Sequence, residues 1–234
     1  MADSSVAHLI GVLTAPGRTF RSIRDRPTWG VALLVLILIG AGVYALLSQR
    51  LDMADMVRQG IEARGTEMPE EQVERMIDLY ESYGVLFSLV MILLGSPALY
   101  LIASLFLWVA VRLVGGELSF KQGFSVFVHS QMPQVVAGVL SLPAIFSRTD
   151  FGFEELKTGS ILPSNLGFLA PSEAGAGLVS LLSSVDLFGF WTLVLLCIGF
   201  AAVSRLKIGT ASAAVVTCWL IYALGKAGWA VVFG

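Results

Sequence analysis

His129, Ser130, Gln131 and Pro133 stand together inside an apolar stretch, GFSVFVHSQMPQVVAG, residues 123–138. An ionisable side chain among lipid-facing residues marks a functional site by default, because burying it there is expensive. A neutral imidazole can accept a hydrogen bond or pass a proton between partners. A relay needs a second titratable group at similar depth, and the sequence offers only Glu117 near the membrane edge. Pro133 supplies a structural alternative. Its ring removes the hydrogen bond to the carbonyl of His129, four residues back, and Ser130, Gln131 or water can satisfy the freed oxygen. A structural role is the favoured reading, and a ligand or proton site is the alternative.

Asp186 and Lys226 are the second pair able to interact. In an antiparallel helical hairpin, residues equally distant from the turn lie at equal depth, and the midpoint of these two is residue 206. An ion pair near the outer surface follows, with snorkelling of Lys226 as the alternative. Cys197 and Cys218 share nearly the same midpoint but lie far from ligand-type His, Asp or Glu, so neither a metal site nor a disulfide framework is expected. No phosphate-cradling glycine loop, zinc-protease helix or nucleophile elbow is present, and no cofactor is implied.

The elements that must hold these residues are set by composition. Of 234 residues 56% are hydrophobic and 14% charged, and the mean hydropathy is +0.81. A water-soluble domain of this length lacks the polar surface to cover so much apolar area, so lipid is the solvent. The expected architecture is all-α, a polytopic five-helix transmembrane bundle with spans at about 29–48, 84–113, 122–146, 187–206 and 209–232. The first apolar run is long enough to be a retained anchor rather than a cleaved signal. Pro97, after Gly95 and Ser96, should kink the second span.

Basic residues cluster in short segments on alternate sides: Arg18, Arg21, Arg24 and Arg26 in the lead, Arg112 and Lys121 after the second span, Arg205 and Lys207 after the fourth. This pattern puts the N-terminus inside and the C-terminus outside. In the outer segment 49–83, which holds nine acidic residues, Val73, Met76, Ile77 and Tyr80 recur at helical spacing. An acidic helical hairpin is expected there, its second arm continuous with the second span. The other outer loop, 147–183, is rich in Gly, Ser and Pro and should be irregular. Residues 1–28 form a basic amphipathic lead. Val6, Leu9, Ile10 and Leu13 make one apolar face, and Phe20 and Ile23 would enter the acyl boundary while Arg18, Arg21, Arg24 and Arg26 contact lipid headgroups; the alternative is a short basic segment whose only role is to hold the topology.

The lead LTAPGRTFRSIRDRPTWG, the block GGELSFKQGFSVFVHSQMPQVVAGVLSLP around the third span, and a Trp-containing closing helical pair together resemble the Yip (Ypt-interacting protein) family of five-span membrane proteins. The resemblance extends over almost the whole chain. Eukaryotic members are associated with Rab-type GTPases and vesicle traffic and carry an Asp-Leu-Tyr-Gly-Pro-like motif before the first span. Residues 1–28 hold nothing similar, so Rab binding is not carried over. The short, Arg-biased lead looks more like the bacterial branch, which implies an inner-membrane location.

The function expected from these features is that of a non-enzymatic scaffold or adaptor engaging lipids or membrane-protein partners. Membrane lipids are the expected partners, together with other membrane proteins or a second copy of the chain, and nothing points to nucleic acid. The alternative is a small-solute or lipid transporter with a polar path near His129. A closely packed third span favours the first, and a water-accessible cavity at His129 favours the second.

Overall fold

The computed structural model describes residues 5–62, 65, 67–148, 151, 161–171 and 174–233. Among these, every regular element is helical, and an isolated bridge joins Asn165 to Asp186. Four helices are long and apolar enough to cross a membrane. The first is α3 (Gly30–Ser48). The second is a continuous 44-residue rod, Glu70–Leu113, built from α5 (Glu70–Val90), a π turn (Met91–Gly95) and α6 (Ser96–Leu113). The last two, α10 (Leu187–Ser204) and α11 (Ile208–Phe233), form a hairpin.

Pro97 does not break the rod. One wide turn precedes it, and Ser96 Oγ donates to the carbonyl of Ile92, so the chain absorbs the missing amide by local re-registration. At about 1.5 Å per residue the rod is roughly 66 Å long, twice the hydrocarbon thickness. A helix of that length exceeds what one crossing needs, and its first half is the more polar. There it packs against α4 (Met53–Glu62) around a small core of Val57, Val73 and Ile77, with Arg58 3.6 Å from Glu70.

The stretch expected to form one third span, 122–146, is two helices. They are α7 (Phe120–Ser130) and α8 (Met132–Ser147), and they meet at Gln131. Pro133 sits in the first turn of α8, where a missing N–H has no intrahelical partner to lose. The proline thus opens a new helix instead of bending an old one, and neither half alone reaches the ~20 residues a span requires.

Two short helices, α1 (Ser5–Thr14) and α2 (Pro16–Asp25), precede α3, and α9 (Ala176–Ser184) packs on α11. The centre of the molecule is α7. It touches α1, α2, α3, α6 and α10, and its residues Gly123–Ser130 are all buried. Rings surround it: Trp29 meets Phe124 at 5.4 Å and Tyr100 meets Phe127 at 5.6 Å between centroids. In lipid such association depends on close packing rather than on a difference in hydrophobicity. Gly199 of α10 shows how close it is, since a Cβ there would lie 2.5 Å from Val126 Cγ1 and 3.1 Å from Phe20 Cε1 and Cζ.

Candidate functional site

The helix that carries His129 is fixed at its start by a reciprocal cap. Ser119 Oγ accepts from the Gln122 amide at 3.3 Å, and Gln122 Oε1 accepts from the Ser119 amide at 2.8 Å, which satisfies two donors that a helix start leaves free. Gln122 Nε2 also donates to the carbonyl of Arg24 at 2.8 Å, tying α7 to the end of α2. Two turns further on, His129 is 1% exposed.

The partner of His129 is the other histidine of the chain. His8 of α1 is 4% exposed, and its ring meets that of His129 edge-on with centroids 6.0 Å apart. His8 Nε2 lies 3.1 Å from Ser22 Oγ and Nδ1 lies 3.4 Å from Thr28 Oγ1, hydroxyls that can donate or accept as its tautomer demands. For His129 the tautomer is fixed. Nδ1 lies 2.8 Å from the carbonyl oxygen of Ser125, which can only accept, so Nδ1 carries the hydrogen and Nε2 of the neutral ring is an acceptor.

On the same helix as His129, the hydroxyls of Ser125 and Ser130 are buried with no hydrogen-bond partner. The site thus holds two imidazoles and two unpaired hydroxyls inside a sheath of five helices. No carboxylate is hydrogen-bonded to either imidazole among the described residues; the group that orients the His129 ring is the Ser125 carbonyl.

Placement of the lead differs from the surface helix its pattern suggests. Phe20 and Ile23 are fully buried in protein rather than in the acyl boundary, while on α1 Val6 and Ile10 are 58% and 67% exposed and His8 and Val12 face inward. The reason is solvent: apolar side chains can face lipid freely, whereas a histidine must face protein. Arg18, Arg21 and Arg26 remain exposed, and Arg24 is half-buried beside Asp25 at 3.2 Å. Gln131 is half-buried at the helix junction, and Pro133 is buried.

Asp186 and Lys226 are not brought into an ion pair. Asp186 is the N-cap of α10, with Oδ2 accepting from the Gly189 amide at 2.7 Å and Oδ1 accepting from Ser164 Oγ. Lys226 Nζ instead lies 3.5 Å from Ser184 Oγ. The orphan amides at the helix start take the carboxylate instead of Lys226. Cys197 and Cys218 are both free thiols.

A polar cleft of about 380 Å³ lies where α2 ends, α7 begins and α10 ends, lined by Arg24, Asp25, Glu117, Ser119, Gln122 and Arg205. The turns after α6 and α10 are tied there, since the Glu117 amide donates to the Ser204 carbonyl at 3.0 Å and Arg205 reaches Glu117 at 3.4 Å. Both helices end through a left-handed residue, Gly115 (φ +91°) after α6 and Arg205 (φ +62°) after α10. Glycine is at ease there, whereas another residue is less stable by ~1 kcal/mol. An ion pair as exposed as Arg205–Glu117 contributes only about 0–1 kcal/mol, so the pair does not clearly offset the strain.

Sequence reasoning overlooked His8, the Ser119–Gln122 cap and this cleft. The cap was detectable as S-x-x-Q before an apolar run, and His8 as the one other histidine, on a helix without a polar face. The cleft joins residues up to 181 positions apart and left no local signal.

The Yip1 domain matches residues 10–230 of the chain. The chain is also 28% identical over 202 residues to a protein named membrane protein YknW from Bacillus subtilis (strain 168), covering 82% of this chain and 76% of that one. No solved structure matches.

Proposed function

The chain belongs to the Yip1 domain family, and from that premise we propose that it is a non-enzymatic scaffold or adaptor of the bacterial inner membrane, engaging lipids or membrane-protein partners through its two ends. In this reading α7 and α8 together make a fifth crossing, with the N-terminus inside and the C-terminus outside. The gathering of Arg24, Lys121 and Arg205 at one end, with the acidic α4–α5 hairpin leaving from the other, supports that orientation.

The observation that carries the scaffold reading is the eight-residue buried run Gly123–Ser130, with His129 enclosed by protein. A conduit needs water or substrate to reach its polar groups, and packing of this kind instead holds a rigid platform. The competing reading, a solute or lipid path past His129, draws on the unpaired hydroxyls of Ser125 and Ser130.

Two measurements separate them. Proteoliposomes with an internal pH-sensitive dye should leak protons no faster than protein-free vesicles, for the natural chain and for His129→Leu alike. A photo-crosslinker at Leu79, on the exposed face of the outer hairpin, should give discrete adducts in native membranes. Proton flux that His129→Leu abolishes would replace the scaffold by a transporter.

A further inference from the structure

The cleft between α2, α7 and α10 has a composition that selects a ligand class. Two guanidinium groups, Arg24 and Arg205, and two carboxylates, Asp25 and Glu117, line it with the polar side chains of Ser119 and Gln122. An anion site would carry an excess of one sign, whereas this one is balanced. Both internal pairs lie at the surface, Arg24–Asp25 at 3.2 Å with Arg24 half-buried and Arg205–Glu117 at 3.4 Å with both side chains exposed, so a ligand bearing both charges can exchange with them without leaving any of the four unpaired.

Arg205 gives the cleft a second, independent mark. It occupies a left-handed position that the companion turn fills with Gly115, and its pairing with Glu117 does not clearly compensate for that. Non-glycine residues in the left-handed region cluster at ligand-binding and active sites.

We propose that this cleft binds a zwitterionic phosphoamine, a phosphate with a primary ammonium two carbons away, as in a phosphatidylethanolamine headgroup or free phosphoethanolamine. The phosphate oxygens pair with Arg205 and Arg24, whose planar forks suit them. The ammonium lies between Glu117 and Asp25. The lipid as source rests on the proposed lipid-engaging scaffold with this end at the cytoplasmic leaflet, and the recognition chemistry itself does not.

The test uses the full chain in mild detergent with dihexanoyl-phosphatidylethanolamine, dihexanoyl-phosphatidylglycerol, phosphoethanolamine and inorganic phosphate as separate probes, read by thermal shift and by equilibrium binding. The ethanolamine lipid should bind at least tenfold more tightly than the glycerol lipid, and phosphoethanolamine more tightly than phosphate. Tight binding of phosphoethanolamine but not of the lipid would keep the recognition and move the source to a soluble metabolite. Arg205→Gly should weaken binding at least tenfold while the ligand-free melting temperature stays equal or rises, because glycine relieves the strain. Glu117→Gln combined with Arg205→Gln, which removes both charges together, should also weaken it at least tenfold.

Equal binding of all phosphates, or none of any probe, overturns the proposal, and so does unchanged affinity in Arg205→Gly. These outcomes are independent of the proton-flux assay, in which the scaffold reading itself fails.

Discussion

If the lead is a docked part of the bundle, adding one methyl group at Gly199 should loosen it. A Cβ there falls 2.5 Å from Val126 Cγ1 on α7 and 3.1 Å from two ring atoms of Phe20 on α2, so Gly199→Ala overpacks a buried junction. Such insertions cost about 1–3 kcal/mol, and because α10 is helical whether or not the lead is docked, alanine's helix preference over glycine does not enter this equilibrium. The overlap with Phe20 is the milder of the two, so a docking loss at the low end of that range, about 1 kcal/mol, corresponds to a roughly fivefold larger undocked population. Phe20→Ala acts on the same junction from the other side. Removing a fully buried phenylalanine costs about 3–5 kcal/mol, at least a hundredfold in the same equilibrium.

Trypsin in mild detergent reads this directly, because cleavage after Arg18 or Arg21 requires α2 to leave the bundle and unwind. Cleavage should accelerate slightly in Gly199→Ala and strongly in Phe20→Ala. In the double variant the added methyl no longer meets the ring, so the combined effect should fall short of the sum by more than ~0.5 kcal/mol. A lead resting on the lipid surface gives a different result. Gly199→Ala would then leave cleavage of the lead unchanged, and the two changes would add; that outcome would refute the docking.

Two further consequences follow from the same contacts. His8→Ala strips Ser22 and Thr28 of a shared partner and His129 of its ring contact, and should lower unfolding stability by about 1–3 kcal/mol with the rod and outer hairpin intact by circular dichroism. Asp186→Ala should cost about 1 kcal/mol through loss of the α10 cap, Lys226→Gln almost nothing, and the double-mutant coupling should be near zero; a coupling above ~1 kcal/mol would restore the ion pair.

Helical class and membrane residence were legible because they depend on composition and run length, which α3, α10 and α11 display without interruption. What the sequence hid was tertiary. Pro97 and Pro133 look alike in the sequence, yet one is absorbed by a π turn and the other starts a helix; the difference lies in what each neighbouring helix requires of the backbone. His8 sits on a helix that is apolar nearly all round, so periodicity does not identify the protein-facing side. Matching residues by depth in a hairpin brought Asp186 and Lys226 to one level, but local capping decided the contacts at that level. No second titratable group stands near His129 in the sequence, because the one that meets it, His8, comes from a helix 121 positions earlier in the chain.

Whether water reaches His129 is the most direct test of the scaffold account, and one substitution reports it. Ser130→Cys, in a chain with Cys197→Ser and Cys218→Ser, places a thiol at a fully buried position beside His129. In native membranes it should resist N-ethylmaleimide, which the exposed control Arg26→Cys should not, and it should react fully once the protein is unfolded in dodecyl sulfate. Rapid labelling of Ser130→Cys in the folded protein would mean an aqueous route to the histidine pair and would contradict the account.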